Sequence, residues 1–266
     1  MMGAAQIHPT ALVAPGAVLG EDVVVGPYSI VGEHVSVGAR TRIGPHCAID
    51  GHTVIGPDNH FYRYCSIGGI PQDKKYAGEP TALEIGAGNT FREFVTVNTG
   101  TAQDVGTTRL GDDNWIMAYV HIAHDCQLGS HIVIANSVQL AGHIHIGDWA
   151  ILGGLSAVHQ FVRIGAHAMI GGTSSVRQDV PPYVIGAGDS FRPVGINAEG
   201  LGRRGFTPAD VQALKDAYKI LYRRQLNVEQ AIEALVVLQT EHPAESPAIQ
   251  TLIDFLRASS RGIARP

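Results

Sequence analysis

Residues 110–176 read LGDDNWIMAYVHIAHDCQLGSHIVIANSVQLAGHIHIGDWAILGGLSAVHQFVRIGAHAMIGGTSSV, and every sixth position is aliphatic: Leu110, Ile116, Ile122, Leu128, Ile134, Leu140, Ile146, Leu152, Val158, Ile164, Ile170 and Val176. An earlier run keeps the same period at Ile7, Val13, Leu19, Val25, Val31, Val37, Ile43, Ile49, Ile55 and Ile67, with Phe61 in the one gap. Glycine follows the aliphatic slot at Gly20, Gly26, Gly32, Gly38, Gly44, Gly56 and Gly68, and a short run holds Ile85, Phe91 and Val97. A period of six suits neither an amphipathic helix nor a hairpin. It suits very short strands separated by turns, each strand turning one aliphatic side chain inward, which is the hexapeptide signature of a parallel β-helix. Three hexads close one triangular coil. Spacing alone does not set the hand of the coil.

Two segments interrupt the period. Residues 69–84 (GIPQDKKYAGEPTALE) are polar, and the slot after Ile67 returns in phase at Ile85, so the break either replaces a coil or loops out between coils. Residues 98–109 (NTGTAQDVGTTR) shift the phase by one before Leu110. Loops of this length in a compact solenoid are usually functional or disordered. After Val176 the coil ends at Pro181 and Pro182, and helix signals follow. Thr207 caps a helix with Pro208 at its first position, Asn227 and Gln230 form a capping box, and Ser246-Pro247 opens a further helix. The division predicted is a β-helix domain over 1–190 and a helical domain over 191–266.

The formal net charge of −5 over 266 residues gives no sign of a nucleic-acid partner. Glycine, at 32 residues, exceeds the usual share of about 7 %. Cys47, Cys65 and Cys126 are an odd count without framework spacing, which fits a reducing, cytoplasmic setting. No apolar run is long enough to predict a membrane span, and the N-terminus lacks the basic and apolar regions of a signal peptide. Residues 203–266 carry nine Lys/Arg against seven Asp/Glu, a mildly basic end on an acidic chain.

The chemistry gathers at HIAHDC, residues 121–126. Residues 18 apart stack on neighbouring rungs about 4.8 Å from one another. That rule gives the columns His124, Gly142, Gln160; Asp125, His143, Phe161; and Ala123, Ala141, His159. His124, Asp125, Gly142, His143, His159 and Gln160 are therefore expected along one edge, with His121 three residues upstream and His145 and His167 near the same edge. A neutral imidazole there can take a proton from an attacking hydroxyl, a carboxylate can orient it, and a glycine lets a backbone N–H approach an oxyanion. No covalent intermediate is needed: no serine sits on a nucleophile elbow, and Cys126 has no activating cation. Two readings stay open on the residues: an acyl-transfer enzyme, either carrier-protein dependent or using acetyl-CoA on a small acceptor, and a repeat scaffold whose histidines are incidental or bind zinc.

QDKKYAGEP (72–80), HIAHDC (121–126), LAGHI (140–144), GGLSAVHQF (153–161), IGAHAMIGG (164–172), QDVPPYVI (178–185) and EGLGRRGF (199–206) resemble the UDP-N-acetylglucosamine acyltransferases, which open lipid A biosynthesis. The likeness runs from about Ile7 to Arg265. It implies a left-handed coil, a homotrimer with active sites between subunits, and no cofactor or metal. It implies transfer of a 3-hydroxyacyl chain from acyl carrier protein to the 3-hydroxyl of UDP-N-acetylglucosamine. His124 would then be the general base, Asp125 its partner and Gly142 the oxyanion donor. Gln72, Asp73, Lys75, His121, His143, His159 and Gln160 would contact sugar, diphosphate or acyl chain. Asn197, Glu199 and Arg204 would hold the nucleotide, the basic tail would receive the acidic carrier, and Gly172 would leave room for a longer chain. Asn98-Thr99 stands where some members carry His-Arg, and Ser190 where a histidine can reach the acyl end. Some members form an amide on a 3-amino sugar instead.

Overall fold

The computed structural model describes residues 3–266. Twenty-six short strands from Gln6–Ile7 to Ser175–Val176 wind a left-handed parallel β-helix with three sheets as its faces. The first face begins at Gln6–Ile7, the second at Leu12–Val13 and the third at Val18–Leu19, and the chain visits them in that order in every coil. Partners across most rungs lie 18 positions apart, as Val24 with Arg42 and Val133 with Ile151. The six-residue slots fill the interior: Ile43, Ile49, Ile67, Ile116, Ile122, Ile134 and Leu140 are at most 1 % exposed. Each such side chain contributes about 1.5–3 kcal/mol by leaving water. Where phenylalanine takes the slot, Phe61 and Phe91 stack at 4.7 Å.

Most corners turn through one residue in the left-handed region. From Asp113 to Thr173 these recur every six positions, among them Asp125 (φ 59°), His143 (φ 63°) and Phe161 (φ 66°). Without glycine such a conformation costs roughly 1–2 kcal/mol. Hydrogen bonds to the rung below offset it, as His143 N–H to the carbonyl of His124 at 3.0 Å and Phe161 N–H to that of Gly142 at 3.1 Å.

The three edges differ in what they carry. The edge between first and second faces stacks Tyr28, His46, Tyr64, Phe94 and Tyr119 at 4.8–5.2 Å. The edge between third and first faces, here the tryptophan edge, stacks His131, Trp149, His167 and Tyr183. The edge between second and third faces, here the histidine edge, takes both insertions. Phe61 pairs with Phe91 and Phe91 with Ile116. The coil spacing thus grows from 18 to 30 and then 25 positions, so residues 69–84 loop out between coils rather than replacing one.

Past Val176, Val184–Ala187 joins the first face and pairs antiparallel with Arg192–Ile196, so residue 190 lies in a hairpin turn. Four helices follow: α1 (Ala198–Arg203), α2 (Pro208–Arg223), α3 (Val228–Glu241) and α4 (Ser246–Ala258). The capping signals read in the sequence are made: Thr207 with Asp210 and Asn227 with Gln230 form complete capping boxes. Ala217, Leu221, Leu235, Ile249 and Ile253 share the helical core. The tail then closes the open end of the coil. Asp179 accepts from Ser259 Oγ at 2.6 Å and from the Arg163 amide at 2.8 Å, and Ala264 N–H reaches the Asp179 carbonyl. No helix among the described residues is long and apolar enough to cross a membrane.

Candidate active site

The stacking rule brings His124, Asp125, Gly142 and His143 together on the histidine edge. His124 Nδ1 lies 2.9 Å from Asp125 Oδ2. The Asp125 carboxylate is fully buried and the imidazole 12 % exposed. Burial by itself would raise the Asp125 pKa. Hydrogen bonds from His124 and Thr101, with the charge of His143, outweigh it and hold the carboxyl below its ordinary value. An ionised carboxylate accepts only, so Nδ1 carries the proton and the Nε2 lone pair is free to act as a base.

Gly142 is the next rung of that column. A Cβ placed on it would lie 2.5 Å from His124 Cε1 and 2.7 Å from Nε2, so only glycine leaves the imidazole its position. Its amide has a second use. The second residue of a corner finds no backbone acceptor for its N–H, and in three corners of the tryptophan edge a side chain from the next rung supplies one: Asp112 for Ala87, Ser130 for Asp112 and Asp148 for Ser130. Above Gly142 that place belongs to Gln160, which makes no such bond, so the Gly142 N–H stays free beside the imidazole. A base, its orienting carboxylate and a free amide donor meet within one corner, the parts an acyl transfer to a hydroxyl needs.

The inserted loop completes the corner in a way the spacing did not show. Thr101 gives Asp125 its amide at 3.0 Å and its hydroxyl at 2.6 Å, both to Oδ2. Asp104 Oδ2 lies 2.5 Å from His143 Nδ1. Sequence reasoning missed both residues, although the loop's length marked it. Asn98 and Thr99 anchor its base, Asn98 Nδ2 on the Ile70 carbonyl at 3.0 Å and Thr99 on Thr81 at 3.1 Å.

Other expected residues divide among the edges. His121, one strand below, bonds Thr96 Oγ1 at 2.7 Å, and burial, then His124, lowers its pKa. His159 and Gln160 stand exposed on the same edge two coils above His124, His159 Nδ1 at 3.0 Å from the Gln160 carbonyl. Gln72, Asp73 and Lys75 ride the 69–84 loop, which leaves the same edge lower down and makes no hydrogen bond to the His124 corner. Gly172 sits exposed on the edge between first and second faces, and a Cβ there would meet only Gly154, its carbonyl oxygen at 3.2 Å. Asn197, Glu199 and Arg204 gather beyond the tryptophan edge. Asn197 caps α1 and reaches the His167 carbonyl, Glu199 pairs with Arg203, and Arg204 lies over Trp149. Ser190 is exposed in its turn.

Of the two further histidines expected near this edge, one departs. His145 lies on the third face, in a cleft of about 470 Å³ against α4. His167 is on the tryptophan edge, because 167 is 43 positions from 124 and so falls in a different corner. Arg204 Nη1 meets His167 Nδ1 at 3.2 Å, and since arginine only donates, that nitrogen must be unprotonated. Burial, then the Arg204 charge, pushes the His167 pKa down to about 4. Protonation in the unfolded chain near pH 6.5 therefore favours unfolding, so the loss of stability begins as pH falls below that value and continues toward 4. A thermal unfolding series from pH 7 to pH 4 should show this fall, and His167→Gln should flatten it. An equal slope in the variant would assign the acid sensitivity elsewhere.

Cys126 is no alternative nucleophile, because burial pushes its thiol up to about 12. His124, Asp125 and His143 also form a group whose ligand atoms lie within 4.8 Å of one another. The Asp125 oxygen they share is already occupied by Thr101 and His124.

A hexapeptide coil with a His–Asp pair and a free glycine amide at one corner defines a hexapeptide-repeat acyltransferase. Comparison with known proteins narrows the class. The bacterial transferase hexapeptide model matches residues 16–51 and 107–142, and the model for domain 2 of UDP-N-acetylglucosamine O-acyltransferases matches residues 179–264. The acyl-[acyl-carrier-protein]–UDP-N-acetylglucosamine O-acyltransferase of Burkholderia lata is 57 % identical over 260 residues, 98 % of this chain and 99 % of the relative. That of a Janthinobacterium is 56 % identical over 259 residues, 97 % and 99 % of the two chains. Among solved structures, the UDP-N-acetylglucosamine O-acyltransferase of Moraxella catarrhalis superposes with a TM-score of 0.94 at 44 % identity, covering 97 % of this chain and 99 % of that one. The Francisella novicida enzyme gives 0.94 at 40 % identity, covering 98 % and 94 %. The chain belongs to the UDP-N-acetylglucosamine O-acyltransferase family.

Proposed function

We propose that this protein transfers a 3-hydroxyacyl chain from acyl carrier protein to the 3-hydroxyl of UDP-N-acetylglucosamine, the first step of lipid A biosynthesis. The relatives' shared activity supports the substrates. One observation carries the mechanism: His124 is held by Asp125 through Nδ1 and presents Nε2 beside the free Gly142 amide. Nε2 takes the proton of the sugar 3-hydroxyl as its oxygen attacks the thioester carbonyl. The Gly142 N–H meets the developing oxyanion. The C–S bond then breaks, and the imidazolium returns its proton to the leaving thiolate. Asp125 stabilises the imidazolium between the two transfers.

The quaternary proposal follows from the three edges. Asn197, Glu199, Arg204 and Gly172 stand on edges other than that of His124, so one chain cannot gather them around one substrate. A homotrimer can, by setting the histidine edge of one protomer against other edges of the next. In that arrangement Gly172 leaves space for a longer acyl chain, and Gln72, Asp73 and Lys75 reach over the cleft. Exposed Lys215, Lys219 and Arg223 follow one another at four-residue intervals along α2 and offer the acidic carrier a basic stripe. Three free, buried cysteines fit a cytoplasmic enzyme.

The test is transfer itself. The enzyme is incubated with a mixed-chain-length pool of 3-hydroxyacyl carrier proteins and UDP-N-acetylglucosamine or its 3-amino analogue, and products are weighed by mass spectrometry. An ester on the 3-hydroxyl is expected. A preference for acetyl-CoA as donor would overturn the proposal, and a preference for the amino sugar would change the acceptor to an amine.

A further inference from the structure

The loop that Thr101 fixes to Asp125 touches the site again at Asp104. His143 stands between two carboxylates. Its Nδ1 lies 2.5 Å from Asp104 Oδ2 and 3.8 Å from Asp125 Oδ2, the oxygen that also accepts from His124. The His143 ring meets His124 edge-on at 4.8 Å and lies flat on Phe161 at 4.3 Å. A shift of about 1 Å would bring Nδ1 within hydrogen-bond range of Asp125. We propose that Asp104 is a positioning residue for acyl transfer: it holds His143 away from Asp125 and so reserves the buried carboxylate for His124.

This inference rests on the transfer reaction proposed above. Without Asp104, His143 turns to Asp125, the other carboxylate beside it, and the His124 imidazolium shares its counter-charge with a second donor. A base whose charged form is less stabilised titrates at lower pH, so the acid limb of the kcat profile moves down while kcat falls. The titratable groups facing His143 are His124, Asp125 and Asp104, with His145 next along the third face.

The experiment is a double-mutant cycle on the full-length enzyme, with acyl carrier protein thioester and UDP-N-acetylglucosamine as substrates. Asp104→Ala should lower kcat about tenfold, with KM for the sugar nucleotide within about threefold and the acid limb displaced downward. In a His143→Ala background the same change should alter kcat by less than about twofold. Asp104→Asn, which keeps an oxygen acceptor for Nδ1–H, should recover most of the rate. Equal losses in both backgrounds, or an unmoved acid limb with full rate in Asp104→Ala, would overturn the proposal while leaving the transfer reaction in place. A wild-type enzyme that transfers no acyl group would overturn the functional reading, and this proposal with it.

Discussion

Replacing His124 by alanine lowers kcat by roughly 10³- to 10⁴-fold and leaves KM for the sugar nucleotide little changed. The size follows from what the ring alone supplies. No other group at the corner pairs a free ring nitrogen with a buried, ionised partner. Asp125 is acceptor-only, and the Cys126 thiol is pushed up to about 12. The effect falls on kcat because the proton moves only as the hydroxyl attacks. The coil survives, since the inward slots Ile122 and Leu128 hold that corner without the imidazole. Steady-state kinetics beside a thermal melt would check both halves. A variant that keeps near-wild-type rate removes His124 from the role of base.

Gly142→Ala is expected to cost about 10²-fold in kcat for a different reason. The new Cβ would stand 2.5 Å from Cε1 and 2.7 Å from Nε2 of His124, closer than any real contact of that kind. The ring must move, and a displacement of about 1 Å at a reacting group costs this much. Stability should change little, because the group in the way is one side chain. The backbone is not strained either: Gly142 does not occupy the left-handed region, where alanine would be. A melt within a few degrees of wild type beside a large loss of rate is the expected pair of results. Unimpaired transfer would show that the imidazole works from some other position.

The repeat made this corner legible before any coordinates. Because coils 110–176 contain no insertion, 124, 142 and 160 had to stack, and the close approach of Gly142 to His124 follows from counting alone. The same counting places Gly172 in another corner, since 48 positions from His124 is two coils and two further hexads. Insertions are where the arithmetic stops. Thr101 and Asp104 reach Asp125 and His143 across an irregular loop, and their contacts depend on how Asn98 and Thr99 tie its base to Ile70 and Thr81. Nothing in a six-residue period encodes that path. Nor does periodicity relate one edge to another molecule. Arg204 and Asn197 belong to the nucleotide reading through the family likeness, and in a single chain they contact His167 and Trp149. The tail was legible differently, through the short-range chemistry of Thr207 with Asp210 and Asn227 with Gln230. Its closure of the coil through Asp179 and Ser259 joins residues 80 positions apart, with no local signal.

The most direct measurement is a crystal structure of the enzyme with its acylated sugar-nucleotide product. The oxygen on carbon 3 of the glucosamine should lie about 2.6–3.2 Å from His124 Nε2, with the ester carbonyl oxygen turned toward the Gly142 amide. A product bound with that oxygen beyond reach of His124, or seated on either of the other two edges, would contradict the assignment of the base.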